Sequence, residues 1–401
     1  MPIETHRPHG TRHARHARRA SSRGRIARPS ALLSVLLAMC TTALVALAGT
    51  AAAQEAAAYE VWAFDQGTNL LYVIDPELQV TETVDLGHAV DMPHMIDFTS
   101  DFAYAFVPGP ASGTTAVIRT EDREVVAVLE TGPGSHYAGV VPGDERVLVD
   151  VIGDGTIVEI TLDLENERFE IGRTLVLADD PLIADRIEEF PSTSPICHDE
   201  THDGRFAYVT LGPSLADAGL VVVDTETLEL VAVHPGSEVR SNCGTIVTPD
   251  GGHVVVNGGS VDEGVWYVLE TEGHTVVHQD DSRGTDAHGV ALTHAGDQLW
   301  MVNRASSNGI VIDPVTFEVL HEIEWTGASP DILTISPDDR YAFVTLRGPE
   351  PRSGPHAIAG DTPGVAVLDV ASRTVVTVLE PDAGNAASDF HGIGLRPLDR
   401  D

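Results

Sequence analysis

The chain has 401 residues, and its 24 basic residues, all arginine, stand against 61 acidic ones, for a formal charge of -37. Such an excess of negative charge repels phosphate backbones and anionic lipid surfaces, which argues against nucleic acid or a membrane surface as partner. With 42% hydrophobic residues the chain can still bury a core, so disorder is excluded too.

The charge is not evenly spread. Residues 1–53 hold eight arginines and one acid, Glu4, which leaves 16 arginines against 60 acids in the rest. Residues 1–30 are basic, with His6, His9, His13 and His16 interleaved, an apolar run extends from Ala31 to Ala48, and Ala51-Ala52-Ala53 precedes Gln54. Basic region, apolar region and small-residue site together read as a Sec-type signal peptide over 1–53, so the mature protein is expected in a periplasm or the medium. An uncleaved membrane anchor is the alternative. Arg18-Arg19 lacks the apolar residue that a twin-arginine motif wants, and Met39 is too large for a lipobox at Cys40. The mature chain keeps Cys197 and Cys243, and outside the cytosol an isolated pair reads as a disulfide.

After a short linker at 54–58, one unit recurs. Its sharpest copy runs from Ser329 through Ser336-Pro337-Asp338-Asp339 to Thr345. Met92–Val107, Ser135–Val149, Ser194–Thr210, Ser241–Asn257 and Asp286–Val302 match it, and Phe390–Pro397 is a truncated seventh. Full copies continue with a second strand–turn–strand, such as Val221–Val233 or Val365–Val378, marked by β-branched runs and Asp/Pro/Thr turns. Four short antiparallel strands repeated at this spacing mean propeller blades. The chain opens with three strands (Tyr59–Phe64, Leu70–Ile74, Val80–Asp85) and stops after one near His391–Leu395. The expected fold is therefore all-β, a single seven-bladed β-propeller over 59–397 with a tail at 398–401. Its last strand pairs with the first three and removes exposed sheet edges.

The Thr248-Pro249-Asp250-Gly251 turn and the Tyr208-Val209-Thr210 element resemble the secreted YVTN-repeat propeller family. That resemblance covers nearly all of the mature chain. It implies the fold and leaves the activity open, since related propellers include carriers, binding proteins and enzyme domains.

Aligned on their turns, the seven copies place His94, His136, Ile196, Cys243, His288, Asp331 and His391 at one position. This is the first residue of each innermost strand, and these residues are expected to converge at one mouth of the central channel. Ile196 is the exception; Cys197 and His198 stand directly behind it, so His198 takes that blade's place. The long insertions (178–194, 211–219 and 347–364) fall on the same face, which marks a binding face. His94, His136, His198, His288, Asp331 and His391 form the expected metal set, with Cys243 if it is not in a disulfide. Imidazoles with one carboxylate suit zinc or copper better than calcium or magnesium. The ring is similar to the histidine-lined channels of periplasmic zinc-chaperone propellers and of nitrous-oxide reductase propeller domains. The chain lacks the cupredoxin domain of the latter, and its ring is not all histidine. A polar channel lining and an organic-ligand pocket are the competing readings.

A Cys197–Cys243 disulfide would staple two neighbouring inner strands and take Cys243 off the ligand set. His88 and His356 are candidate accessory ligands, and Asp91, Asp286 and Asp389 candidate acceptors for the second imidazole N–H. His202, His234, His274, His278, His294 and His321 are expected at the surface. No nucleophile elbow, haem-attachment motif, zinc-protease helix motif or phosphate-binding loop is present. The expected function is an exported metal carrier or binding protein, monomeric, with the metal ion and a metal-transport binding protein as partners. A metal-dependent oxidoreductase or lactonase-like hydrolase at the same site, and a metal-free interaction scaffold, are the alternatives.

Overall fold

The computed structural model describes residues 58–212, 219–241, 243–353 and 358–398. The expected signal peptide, His356 and residues 399–401 of the tail lie outside these. Seven four-stranded antiparallel sheets form the blades of a seven-bladed β-propeller. Blade 1 combines residues 59–85 with the last strand, Phe390–Pro397; blades 2 to 7 follow as 97–130, 135–176, 194–234, 245–281, 287–323 and 330–379. The closing strand pairs with Tyr59–Asp65 in the register Tyr59↔Pro397, Val61↔Leu395, Ala63↔Ile393. The first and last strands thus share one sheet, as the three-plus-one count requires.

Each blade is sandwiched between two others, so its middle strands bury both faces. Tyr104–Gly109 and Leu299–Asn303 are buried throughout. Outer strands such as Val80–Asp85 are mostly exposed and carry charge. The core consequently lies between blades: Trp300, Val302 and Val311 of blade 6 pack against Leu333, Val344 and Ala366 of blade 7. The segment after blade 3 folds its Ile183 and Phe190 into the core beside blade 4.

The repeated turn has a local cause. Ser336 Oγ donates to Asp338 Oδ1 (2.6 Å) and accepts from the Tyr341 backbone N–H (2.9 Å). Asp339, next in the turn, has φ 53°, the position Gly251 takes in Thr-Pro-Asp-Gly. Among the described residues no helix is long and apolar enough to cross a membrane.

Candidate metal centre

Inner strands break register where the ring residues sit. Pairing with the second strand shifts between Ser135 and Tyr137, Pro195 and His198, Ala287 and Val290, and Pro330 and Leu333. A bulge turns a side chain out of the pleat, and here it frees His136, Ile196, His288 and Asp331 from the alternation. The end of the second strand holds the bulge. Thr345 Oγ1 accepts from Ile332 N (3.0 Å) and lies 2.6 Å from the His391 carbonyl; Thr210 Oγ1 and Asn257 Oδ1 hold Cys197 N and Gly244 N.

Around the ring the five polar positions are consecutive: His288, Asp331, His391, His94 and His136 on blades 6, 7, 1, 2 and 3. Blades 4 and 5 contribute Ile196 and Cys243, and Cys243 is bonded to Cys197 (Cα–Cα 5.3 Å). The disulfide is therefore as expected, and Cys243 is not a ligand.

Backbone and amide acceptors fix the tautomers. His391 Nδ1 lies 3.0 Å from the His94 carbonyl and His136 Nδ1 lies 2.9 Å from the Ile196 carbonyl. A carbonyl only accepts, so both Nδ1 atoms donate. Gln66 Nε2 donates to Asp389 Oδ2 (2.8 Å), which turns its Oε1 to His94 Nδ1 at 2.8 Å. All three imidazoles thus present Nε2 to the interior. His94 Nε2 meets His136 Nε2 at 2.8 Å, and His391 Nε2 faces Asp331 Oδ2 at 3.6 Å. His391 stacks on His94 with centroids 3.7 Å apart. His288 Nε2 stands 3.1 Å from Asp331 Oδ1. His288, Asp331 and His391 offer ligand atoms all within 4.8 Å of one another, and all three are buried.

Two arginines complete the site. Arg304 reaches Asp331 Oδ1 (3.0 Å) and Asp286 (2.8 Å); Arg347 reaches Asp331 Oδ2 (2.9 Å) and Asp389 (2.8 Å). Both guanidiniums are buried. Burial opposes ionisation of Asp331, yet His391, Arg347 and Arg304 hold its carboxyl well below the usual range. Burial, then His391 and His136, keeps His94 far below an ordinary imidazole; burial pushes His391 down to about 4 against the pull of Asp331. Three carboxylates stand against two guanidiniums, so with neutral imidazoles the cluster carries one surplus negative charge.

The expected ligand set is thus divided. His94, His136, His288, Asp331 and His391 come together. His198 lies in the wall between blades 3 and 4, its Nδ1 2.7 Å from Asp150 Oδ2. His88 is exposed. Asp286 and Asp389 bind the arginines, and Asp91 meets Arg352 and Asn69. His202, His294 and His321 are exposed as expected. His234 is a correction: it is buried, because the outer hairpin of blade 5 packs on it, with Nε2 donating to the His274 carbonyl (2.8 Å), and Glu238 meets its Nδ1 (3.2 Å). Sequence reasoning missed Gln66, Arg304 and Arg347. The one signal was an arginine at the end of a second strand's run, in Val302-Asn303-Arg304 and Leu346-Arg347.

No family model matches the sequence, and no curated protein matches it. Solved structures do. A putative 6-phosphogluconolactonase from Bacteroides fragilis aligns at 12% identity and TM-score 0.60, over 86% of this chain and 99% of that one. Hydrazine synthase from Kuenenia stuttgartiensis aligns at 15% and 0.56, over 78% and 90%. A dihydro-haem d1 dehydrogenase aligns at 12% and 0.53, over 84% and 74%. At these identities the likeness establishes the propeller fold alone. The resemblance to YVTN-repeat propellers rests on the repeat residues quoted above.

Proposed function

We propose that the channel mouth binds one d-block cation, zinc or copper, and that the protein acts as an exported metal-binding or carrier protein. His288, Asp331 and His391 would be the core ligands, with His94 and His136 beside them supplying a further nitrogen. The observation that carries this is the facing of acceptors. His391 Nε2 against Asp331 Oδ2, and His94 Nε2 against His136 Nε2, are lone pairs turned on one another. One cation among these groups relieves the repulsion, and the surplus negative charge calls for one. Imidazoles whose second nitrogen is tied to a carbonyl or amide oxygen are also the usual form of a metal-bound histidine. Arg304 and Arg347 stay anchored by Asp286 and Asp389 when the cation takes a lone pair of Asp331.

A metal held by few protein ligands keeps a position open, as catalytic zinc does. A metal-dependent enzyme at this site is therefore the second reading, favoured by the long segment 347–353 at the rim, whose Ser353 accepts from Gln66. The test is elemental analysis of the mature protein after loading and dialysis, beside Asp331→Asn and His391→Gln variants that keep the wild-type circular dichroism. Each variant is expected to lose one equivalent. Unchanged metal content in both would refute the reading, and turnover that needs the metal would move it from carrier to enzyme.

A further inference from the structure

A second cluster lies in the wall between blades 3 and 4, and the ring does not use it. It comprises Asp150 on the second strand of blade 3 and His198 and Glu200 on the inner strand of blade 4. They are 0%, 3% and 7% exposed. His198 Nδ1 donates to Asp150 Oδ2 at 2.7 Å, which fixes the tautomer. His198 Nε2 and Glu200 Oε1 then stand 3.2 Å apart, within ion-pair distance, while Asp150 Oδ1 makes no hydrogen bond. Burial opposes protonation of the imidazole, yet Asp150 and Glu200 hold it well above its ordinary range. Two buried carboxylates around one imidazole call for a cation between them, and either a proton on Nε2 or a metal ion supplies it.

The imidazole is packed closely on one side and borders a cavity on another. A Cβ on Gly139 would lie 2.5 Å from His198 Nε2, so glycine there lets the imidazole pack directly against the blade 3 backbone. Tyr137 packs edge-on against the imidazole, centroids 4.8 Å apart, and holds its plane. A channel cavity of about 150 Å³ has His198, Tyr137 and Thr245 in its wall and offers a path. Nearby, Asp97 and Asp199 each accept a neighbouring blade's backbone N–H, from Val140 (2.8 Å) and Val247 (2.7 Å). Two carboxylates, Asp150 and Glu200, flank one imidazole, so even an imidazolium would leave the cluster negative.

We infer that His198 Nε2 and Glu200 Oε1 form a second binding site for a divalent cation of borderline softness, with Asp150 orienting the imidazole from behind. Carboxylate–histidine–metal is a recurrent arrangement, and a mixed nitrogen and oxygen donor set suits zinc or manganese rather than calcium. The site is independent of the channel-mouth reading. Water completes the coordination from the cavity side.

The test is titration of the mature protein with ZnCl₂ and, separately, MnCl₂, in the wild type and in the His391→Gln background. In each background Glu200→Gln is expected to remove one equivalent relative to its parent, whatever His391→Gln does. If Glu200→Gln leaves the stoichiometry of both parents unchanged, the second site is refuted. A zinc-edge anomalous map of wild-type crystals guards against a misfolded variant. Density about 2.0–2.2 Å from His198 Nε2 and Glu200 Oε1 is expected. No peak there at saturating zinc, or ¹⁵N shifts showing a His198 imidazolium in the zinc-saturated protein, would overturn the inference.

Discussion

Asp331 is the residue on which the channel mouth turns, because two guanidiniums and two imidazoles meet its carboxylate. Removing its charge leaves Arg304 and Arg347 buried with one carboxylate each, Asp286 and Asp389. Breaking a buried pair from one side costs about 3–5 kcal/mol. Asp331→Asn is therefore expected to lower Tm markedly as well as to lose metal, whereas His391→Gln loses metal at a smaller cost in Tm. Similar Tm losses in both would contradict this division. Asp97 gives the pH test. Burial, with Glu200 adding to it, raises its carboxyl to about 7 against the help of the Val140 N–H. The folded state then holds a proton that the unfolded state releases above about pH 4. This contribution to stability falls as pH rises from about 4 to 7, and the full cost is present above 7. Asp97→Asn is expected to raise Tm by a few degrees at pH 8 and to do nothing at pH 4; equal effects at both would contradict it. At this scale the ring histidines were legible, since the repeat fixes their register. Gln66, Arg304 and Arg347 were not, because they follow strand ends where no repeat position predicts a side chain's direction.

Two elements shape the mouth: the bulge in each inner strand and the disulfide between blades 4 and 5. Thr345 Oγ1 meets the backbone of the blade 7 bulge at Ile332 and that of the neighbouring blade 1 at His391. Thr345→Val keeps the shape and removes these bonds. It is expected to cost about 1–3 kcal/mol and to weaken metal binding about tenfold, read by titration. Full affinity in a destabilised variant would show that the bulge does not position the ring. The Cys197–Cys243 bond spans 46 residues of sequence. Cys243→Ser is expected to lower stability by about 2–4 kcal/mol, and the unreduced protein should show no free thiol from these two residues. The disulfide was legible because two cysteines fall on neighbouring inner strands. The placement of His198 was not. It lies two positions past the ring residue Ile196, and the bulge sends its side chain into the blade wall instead of the mouth.

For the whole molecule, the seven blades and their closure followed from the repeat and the three-plus-one strand count. A blade cannot bury its faces alone, so the ring must close. Charge is also a whole-molecule property. The body outside residues 1–53 has 60 acids against 16 arginines, and many of the acids lie on outer strands such as Val80–Asp85. Salt screens such repulsion, so Tm is expected to rise between 0.05 and 1 M NaCl; a fall would mean that specific ion pairs outweigh it. The same negative field favours cations at the channel, where one surplus charge awaits among Asp286, Asp331 and Asp389. The most direct measurement of the central claim is a zinc-edge anomalous difference map from crystals soaked in zinc. The expected result is a peak at the channel mouth within bonding distance of His391 Nε2 and an Asp331 oxygen. Saturating zinc with no peak among His288, Asp331, His391, His94 and His136 would contradict it.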